Sequence, residues 1–133
     1  MASAAICKIV LVLAASVLVV GGCTAGPRTQ RFGAVIGLCW QADNGSGHPL
    51  AAIAPPTRAD AGPGLPDPSS LAPARRLFVV GGRDQFADAA ALGTYAGALG
   101  AELQVLAGSD HFFYAREHRV GDAVAAHLRA DAD

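Results

Sequence analysis

The second half of the chain alternates short apolar runs with longer amphipathic segments. Residues 50–54 and 77–80 are apolar runs with the length of buried strands, and residues 102–106 form a third strand-like segment in which polar and apolar residues alternate at first. Residues 88–99 and 114–129 carry apolar side chains three and four positions apart, which predicts helices. Strands that alternate with helices favour parallel pairing with right-handed crossovers. The pattern therefore predicts an α/β fold, with a parallel sheet of about four strands flanked by helices.

A different apolar run stands near the start of the chain. Residues 9–20 are apolar except for Ser16, follow Lys8 and lead into Gly21-Gly22-Cys23. A basic start, an apolar run and small residues at a cleavage point are typical of a secretory signal. The run is shorter than the roughly 20 residues of a membrane-spanning helix. The segment therefore predicts a leader that is removed from the mature protein.

The end of this run resembles the lipobox of bacterial lipoproteins. Val20-Gly21-Gly22-Cys23 predicts cleavage after residue 22 and lipidation of Cys23. The chain would then consist of a signal peptide at 1–22, a tether at 23–31 and a domain at 32–130. We expect a protein anchored to the cell membrane and facing its extracytoplasmic side. Plain secretion, an uncleaved anchor and a misassigned start are the alternatives.

Composition narrows the classes of function. The chain has 133 residues, enough for one small domain. Its formal net charge is −1 and no basic stripe is present, so no nucleic-acid partner is expected. The His, Cys and acidic residues lack the spacing of metal ligands, so neither a metal nor another cofactor is expected. Cys39 would be a lone cysteine in an oxidising compartment.

Two strand ends carry the chemistry of interest. Phe78-Val79-Val80-Gly81-Gly82 leads into Asp84, and the turn after the last strand carries His111. A carboxylate and an imidazole in this chain order are the last two members of a hydrolase triad. Upstream, residues 32–40 predict a buried strand that enters a sharp turn at Cys39. A cysteine in such a turn is a candidate nucleophile.

Residues 33–128 resemble the C-terminal half of an α/β-hydrolase, closest to small dienelactone-hydrolase-like members. The resemblance rests on four pieces in order, Gly37 to Asp43, Ala52 to Pro56, Leu77 to Phe86 and Gly108 to Phe113. It implies Cys39 as nucleophile, Asp84 as acid, His111 as base and the backbone N–H of Trp40 as oxyanion donor. The implied activity is hydrolysis of a small ester or lactone.

The same region departs from the family pattern. Gln41 stands where a glycine is expected, and Asn44 to Gly47 interrupts the helix that should follow the nucleophile. The resemblance covers only half of the fold, which implies a partner chain that completes the sheet. The alternative is therefore a non-catalytic lipoprotein or a degenerate hydrolase remnant. Activity is an open question at the level of the sequence.

Overall fold

A computed structural model describes residues 33–58 and 64–130 in full and residues 9–12 and 17–20 as backbone. The strands form one sheet in the order β1-β2-β3-β4-β5. The first pair is antiparallel, and β2 to β5 pair in parallel. The strands are β1 Ile9–Val12, β2 Val17–Val20, β3 Leu50–Ile53, β4 Arg76–Gly81 and β5 Glu102–Leu106.

Helices cover both faces of the sheet. They are α1 Gly33–Asn44, α2 Ala89–Ala98 and α3 Glu117–Arg129, and a short 3-10 turn spans Pro68–Ser70. On one face, α1 and α2 pack on alternate residues of β3 and β4 around Phe78 and Leu50. On the other face, α3 packs on the intervening residues around Leu77 and Val79. The two sets alternate because successive strand side chains point to opposite faces.

The strands and helices predicted for the second half of the chain are confirmed. The strands β3, β4 and β5 and the helices α2 and α3 lie where the periodicity places them, with ends that differ by up to three residues. Asp88 caps α2, since its carboxylate accepts the N–H groups of Ala90 and Ala91. Gly100 follows the helix with a φ of 60°, a conformation that a glycine adopts readily. Local sequence chemistry therefore fixes both ends of α2.

The prediction of a strand over residues 32–40 is wrong. Residues 33–44 form α1, a helix of 12 residues that ends before Gly45 at a φ of 58°. Ala34, Leu38 and Gln41 are buried at helical spacing. This helix contains Cys39 and ends at Asn44, where the sequence indicated an interruption.

Part of the expected leader lies in the sheet. Residues 17–20 pair in parallel with β3, and residues 9–12 pair with residues 17–20. Cleavage after residue 22 would remove both of these strands. The domain expected at 32–130 therefore extends upstream in this structure, and the cleavage itself stays a prediction. Within the described residues, none of the helices is long and apolar enough to span a membrane.

Candidate active site

The carboxyl ends of β4 and β5 form the candidate site. Because the two strands are parallel, their loops emerge at the same edge of the sheet. The strand pairing continues into the loops, since the N–H of Gly82 donates to the carbonyl oxygen of Leu106 at 3.0 Å. The N–H of Arg83 donates to the carbonyl oxygen of Ser109 at 2.9 Å. These bonds tie the loop that carries Asp84 to the loop that carries His111.

The two loops approach most closely at Gly81. A Cβ atom at this position would lie 2.5 Å from the carbonyl oxygen of Asp110 and would also collide with that of Ser109. Both neighbours are backbone atoms, which cannot move aside as the end of a flexible side chain could. Glycine is therefore needed at the end of β4 for the two loops to come together.

Asp84 and His111 form a buried pair. The Nδ1 atom of His111 lies 2.9 Å from Oδ2 of Asp84 and 3.1 Å from Oδ1. The side chains are 5% exposed for His111 and 0% exposed for Asp84. A carboxylate that is removed from water requires such partners, because an unpaired buried charge is costly. The sequence prediction that these two residues meet agrees with this geometry.

Backbone hydrogen bonds fix the orientation of the carboxylate. Asp84 Oδ1 accepts the N–H groups of Phe86 at 2.8 Å and Ala87 at 3.0 Å. The carboxylate is thereby held toward the imidazole, where it accepts a hydrogen bond from Nδ1–H. A neutral imidazole with its proton on Nδ1 presents Nε2 as a base. This is the arrangement that a general base in acyl transfer requires.

Two aromatic rings bracket the imidazole. The ring of Phe86 lies 4.9 Å from that of His111 at an interplanar angle of 82°. The ring of Phe112 lies 5.3 Å away at 89°. Edge-to-face contacts of this kind orient the imidazole plane. No feature of the sequence indicated this role for Phe112, which is 54% exposed, whereas the neighbouring Phe113 is buried.

Cys39 does not lie at a strand end. It is the seventh residue of α1, two positions before Gln41. Gln41 accepts a hydrogen bond from Nε of Arg76 at 2.9 Å, and Arg76 is the first residue of β4. This half of α1 therefore lies by the amino ends of the strands, while Asp84 follows the carboxyl end of β4. The length of β4, about 16 Å for its five residue steps, separates the two ends.

The oxyanion role expected for Trp40 is also corrected. Trp40 is the eighth residue of α1, where a backbone N–H donates to the carbonyl oxygen four residues earlier. That N–H is engaged within the helix. Gln41, which did not suit a strained turn, instead fills a buried position in α1. Its amide donates to the carbonyl oxygen of His48 at 2.7 Å.

Cys39 is electrostatically coupled to Tyr95 of α2. Burial raises the pKa of Tyr95 to about 12, and the nearby Cys39 adds to this increase while the positive charge of Arg76 opposes it. The Tyr95 hydroxyl donates to the carbonyl oxygen of Pro66 at 2.7 Å. This hydrogen bond links α2 to the segment just before the 3-10 turn.

Cys23, the expected lipidation site, lies outside the described residues. In the sequence it follows Val20, the last residue of β2, by three positions. The small residues Gly21, Gly22 and Ala25 around it are the sequence feature that could have marked a second nucleophile candidate. Among the described residues, none of the His, Cys, Asp and Glu side chains group into a metal site of three or more.

Comparison with known proteins supports the architecture. No protein-family profile matches the chain, and no curated protein matches it. A solved structure of an alpha-beta serine hydrolase homologue from Coxiella burnetii is similar, with a TM-score of 0.52 and 24% sequence identity. Over the aligned part, the chain shares the α/β-hydrolase fold of that protein. The alignment covers 67% of this chain and 41% of the Coxiella protein, so the likeness concerns part of that fold.

Proposed function

We propose that this α/β-hydrolase-fold protein hydrolyses small esters or lactones, with His111 as the general base and Asp84 as the residue that orients it. The observation that carries the proposal is the buried Asp84–His111 pair, with Nδ1 and Oδ2 2.9 Å apart. A surface ion pair would gain little from such geometry. A buried pair at the carboxyl edge of parallel strands is where α/β folds hold their reactive groups.

The nucleophile in this proposal is Cys23. It follows β2, which is parallel to β4 and lies two strands away, a lateral distance of about 10 Å. The segment after β2 therefore starts from the same edge as the loops of Asp84 and His111. Gly21, Gly22 and Ala25 supply the small residues that a tight turn between strand and helix needs. Because residues 21–32 lie outside the described residues, this assignment rests on the sequence and the end of β2.

The reaction would proceed through a thioester. His111 Nε2 takes the proton of the Cys23 thiol, and the sulfur forms a bond to the carbonyl carbon. The bond from that carbon to the ester oxygen breaks, and the imidazolium returns its proton to the leaving alcohol. Water then attacks the thioester with His111 as base, which releases the acid and restores the thiol. We assign the oxyanion donor to the N–H of Thr24, the residue after Cys23.

The use of cysteine supports a dienelactone-hydrolase-like subtype. In the proposed order, the nucleophile, acid and base are Cys23, Asp84 and His111, which follow β2, β4 and β5. In this proposal Cys23 takes the place of Cys39 as the nucleophile of the triad, and Asp84 and His111 keep their roles. A partner chain that extends the sheet at β1 or β5, the two edge strands, would complete the architecture.

Ester hydrolysis by the full-length chain tests the proposal. We expect thiol-dependent hydrolysis of p-nitrophenyl butyrate that is lost in Cys23→Ala and His111→Ala. Cys39→Ala is the matched control and should retain the activity, since Cys39 lies within α1. Equal loss in both cysteine variants, or activity that persists without Cys23, would contradict the assignment of the nucleophile.

The second candidate is a lipid-anchored protein without catalytic activity. The observation that favours it is the lipobox-like Val20-Gly21-Gly22-Cys23. Both candidates use Cys23, but a sulfur that carries a lipid cannot also act as a thiolate. The chemical state of Cys23 in the mature protein therefore separates the anchored protein from the enzyme.

A further inference from the structure

The loop after His111 is an ordered turn that holds an aromatic side chain in solvent. The carboxylate of Asp110 accepts the N–H of Phe112 at 3.0 Å, and the carbonyl oxygen of Phe113 accepts the N–H of Arg116 at 2.8 Å. Phe113, which is 5% exposed, anchors the turn in the core against α3. The position of Phe112 is therefore set by the turn rather than by burial of its own ring.

This turn contains strained backbone. Phe113 and Ala115 have φ values of 53° and 59°, a region that costs free energy for residues with a Cβ atom. Strain of this kind persists where the surrounding structure fixes it, and it is common beside reactive groups. The outcome here is that Phe112, 54% exposed, lies with its ring edge-to-face against His111.

We propose that Phe112 forms an apolar subsite for the alcohol group of the ester substrate. This inference rests on the proposed function. The imidazole must return its proton to the leaving oxygen, so the alcohol group is the part of the substrate nearest to His111. The exposed ring beside the imidazole then contacts the carbon chain of that alcohol. The substrate class is an ester of an apolar alcohol.

Esters that differ only in the alcohol test the subsite. We expect kcat/KM for hexyl butyrate to exceed that for methyl butyrate. Phe112→Ala should lower this ratio by about four- to fifteenfold, since each of one or two methylene groups shielded by the ring contributes a factor of about four. Tyr114→Ala is the matched control, because Tyr114 is an 83% exposed aromatic residue of the same loop. An unchanged ratio in Phe112→Ala, or an equal fall in Tyr114→Ala, would overturn the inference.

A binding measurement separates this inference from the proposed function. Hexan-1-ol and methanol are titrated into the full-length protein while NMR follows the ring signals of His111 and Phe112. We expect hexan-1-ol to shift both sets of signals at lower concentration than methanol, and Phe112→Ala to remove that difference. Such a result supports the subsite whether or not the protein hydrolyses esters. Absence of ester hydrolysis would refute only the proposed function. Equal responses to the two alcohols would refute the subsite.

Discussion

The Asp84 carboxylate makes two kinds of hydrogen bond, one with backbone N–H groups and one with the imidazole of His111. Its Oδ1 atom accepts two backbone N–H groups, which an asparagine amide oxygen could also do. An asparagine cannot stabilise the imidazolium that forms when His111 takes a proton. We therefore expect Asp84→Asn to lower ester hydrolysis by about 10³- to 10⁴-fold while the protein still folds. Rates with p-nitrophenyl butyrate and a urea unfolding curve measure the two effects.

Asp88→Asn provides the control for this substitution. Asp88 also accepts two backbone N–H groups, as the cap of α2, and asparagine is an equally good cap. We expect its hydrolysis rate to stay within about twofold of the wild type, because the change adds no unpaired buried group. If Asp84→Asn behaved in the same way, the buried pair would be structural and the proposed mechanism would fail.

Tyr95 predicts how stability changes at alkaline pH. Its pKa is raised to about 12, chiefly by burial, from an unfolded value near 10. The folded state thus holds this proton more tightly, so its contribution is fully present below pH 10 and is lost as the pH rises toward 12. The free energy of unfolding should fall over that interval, and Tyr95→Phe should flatten the fall. Tyr114→Phe, at an exposed position, should leave the slope unchanged.

The helix α1 shows what sequence periodicity could not resolve. Residues 33–40 are almost continuously apolar, and a short apolar run is compatible with a buried strand or a buried helix. Ala34, Leu38 and Gln41 stand at helical spacing, but the polar side chain of Gln41 does not mark a buried position in the sequence. Its hydrogen bond with Arg76, a distant residue of β4, explains why a polar side chain is buried there. The positions of Asp84 and His111 were predictable because each lies in the loop that follows a strand, three residues past β4 and five past β5.

The junction of β4 with the loop of His111 depends on a single glycine. Gly81→Ala would push a Cβ atom against two backbone carbonyl groups of the neighbouring loop. We expect it to lower the free energy of unfolding by about 1–3 kcal/mol and to reduce hydrolysis by moving His111 away from Asp84. Urea unfolding and ester hydrolysis measure both effects.

Gly97→Ala is the matched control for this junction. Gly97 lies in α2, and a Cβ atom there meets nothing within 4 Å. The change should raise the free energy of unfolding by about 0.5–1 kcal/mol, the usual gain for alanine in a helix. A Gly81→Ala protein as stable as Gly97→Ala would show that the two loops do not meet as described.

The start of the chain is either a leader that is cleaved off or a part of the folded sheet, and each of these excludes the other. The largely apolar run at residues 9–20 is compatible with a leader and equally with buried strands, so the sequence alone could not decide between them. In the structure β2 lies between β1 and β3, and the β3 residues Leu50, Ala51 and Ala52 are at most 1% exposed. Removal of β2 would turn β3 into an edge strand and expose its backbone groups to water.

The mass of the mature protein shows whether the start of the chain is cleaved off or retained in the sheet. We expect intact-mass and peptide spectrometry of the chain purified from its producing cells to show β1 and β2 retained, because both strands belong to the sheet that holds Asp84 and His111. Cys23 should then react with iodoacetamide, and more slowly after His111→Ala, since the imidazole assists ionisation of the thiol. A mature chain that begins at a lipid-modified Cys23 would contradict the retained strands and exclude Cys23 as a nucleophile.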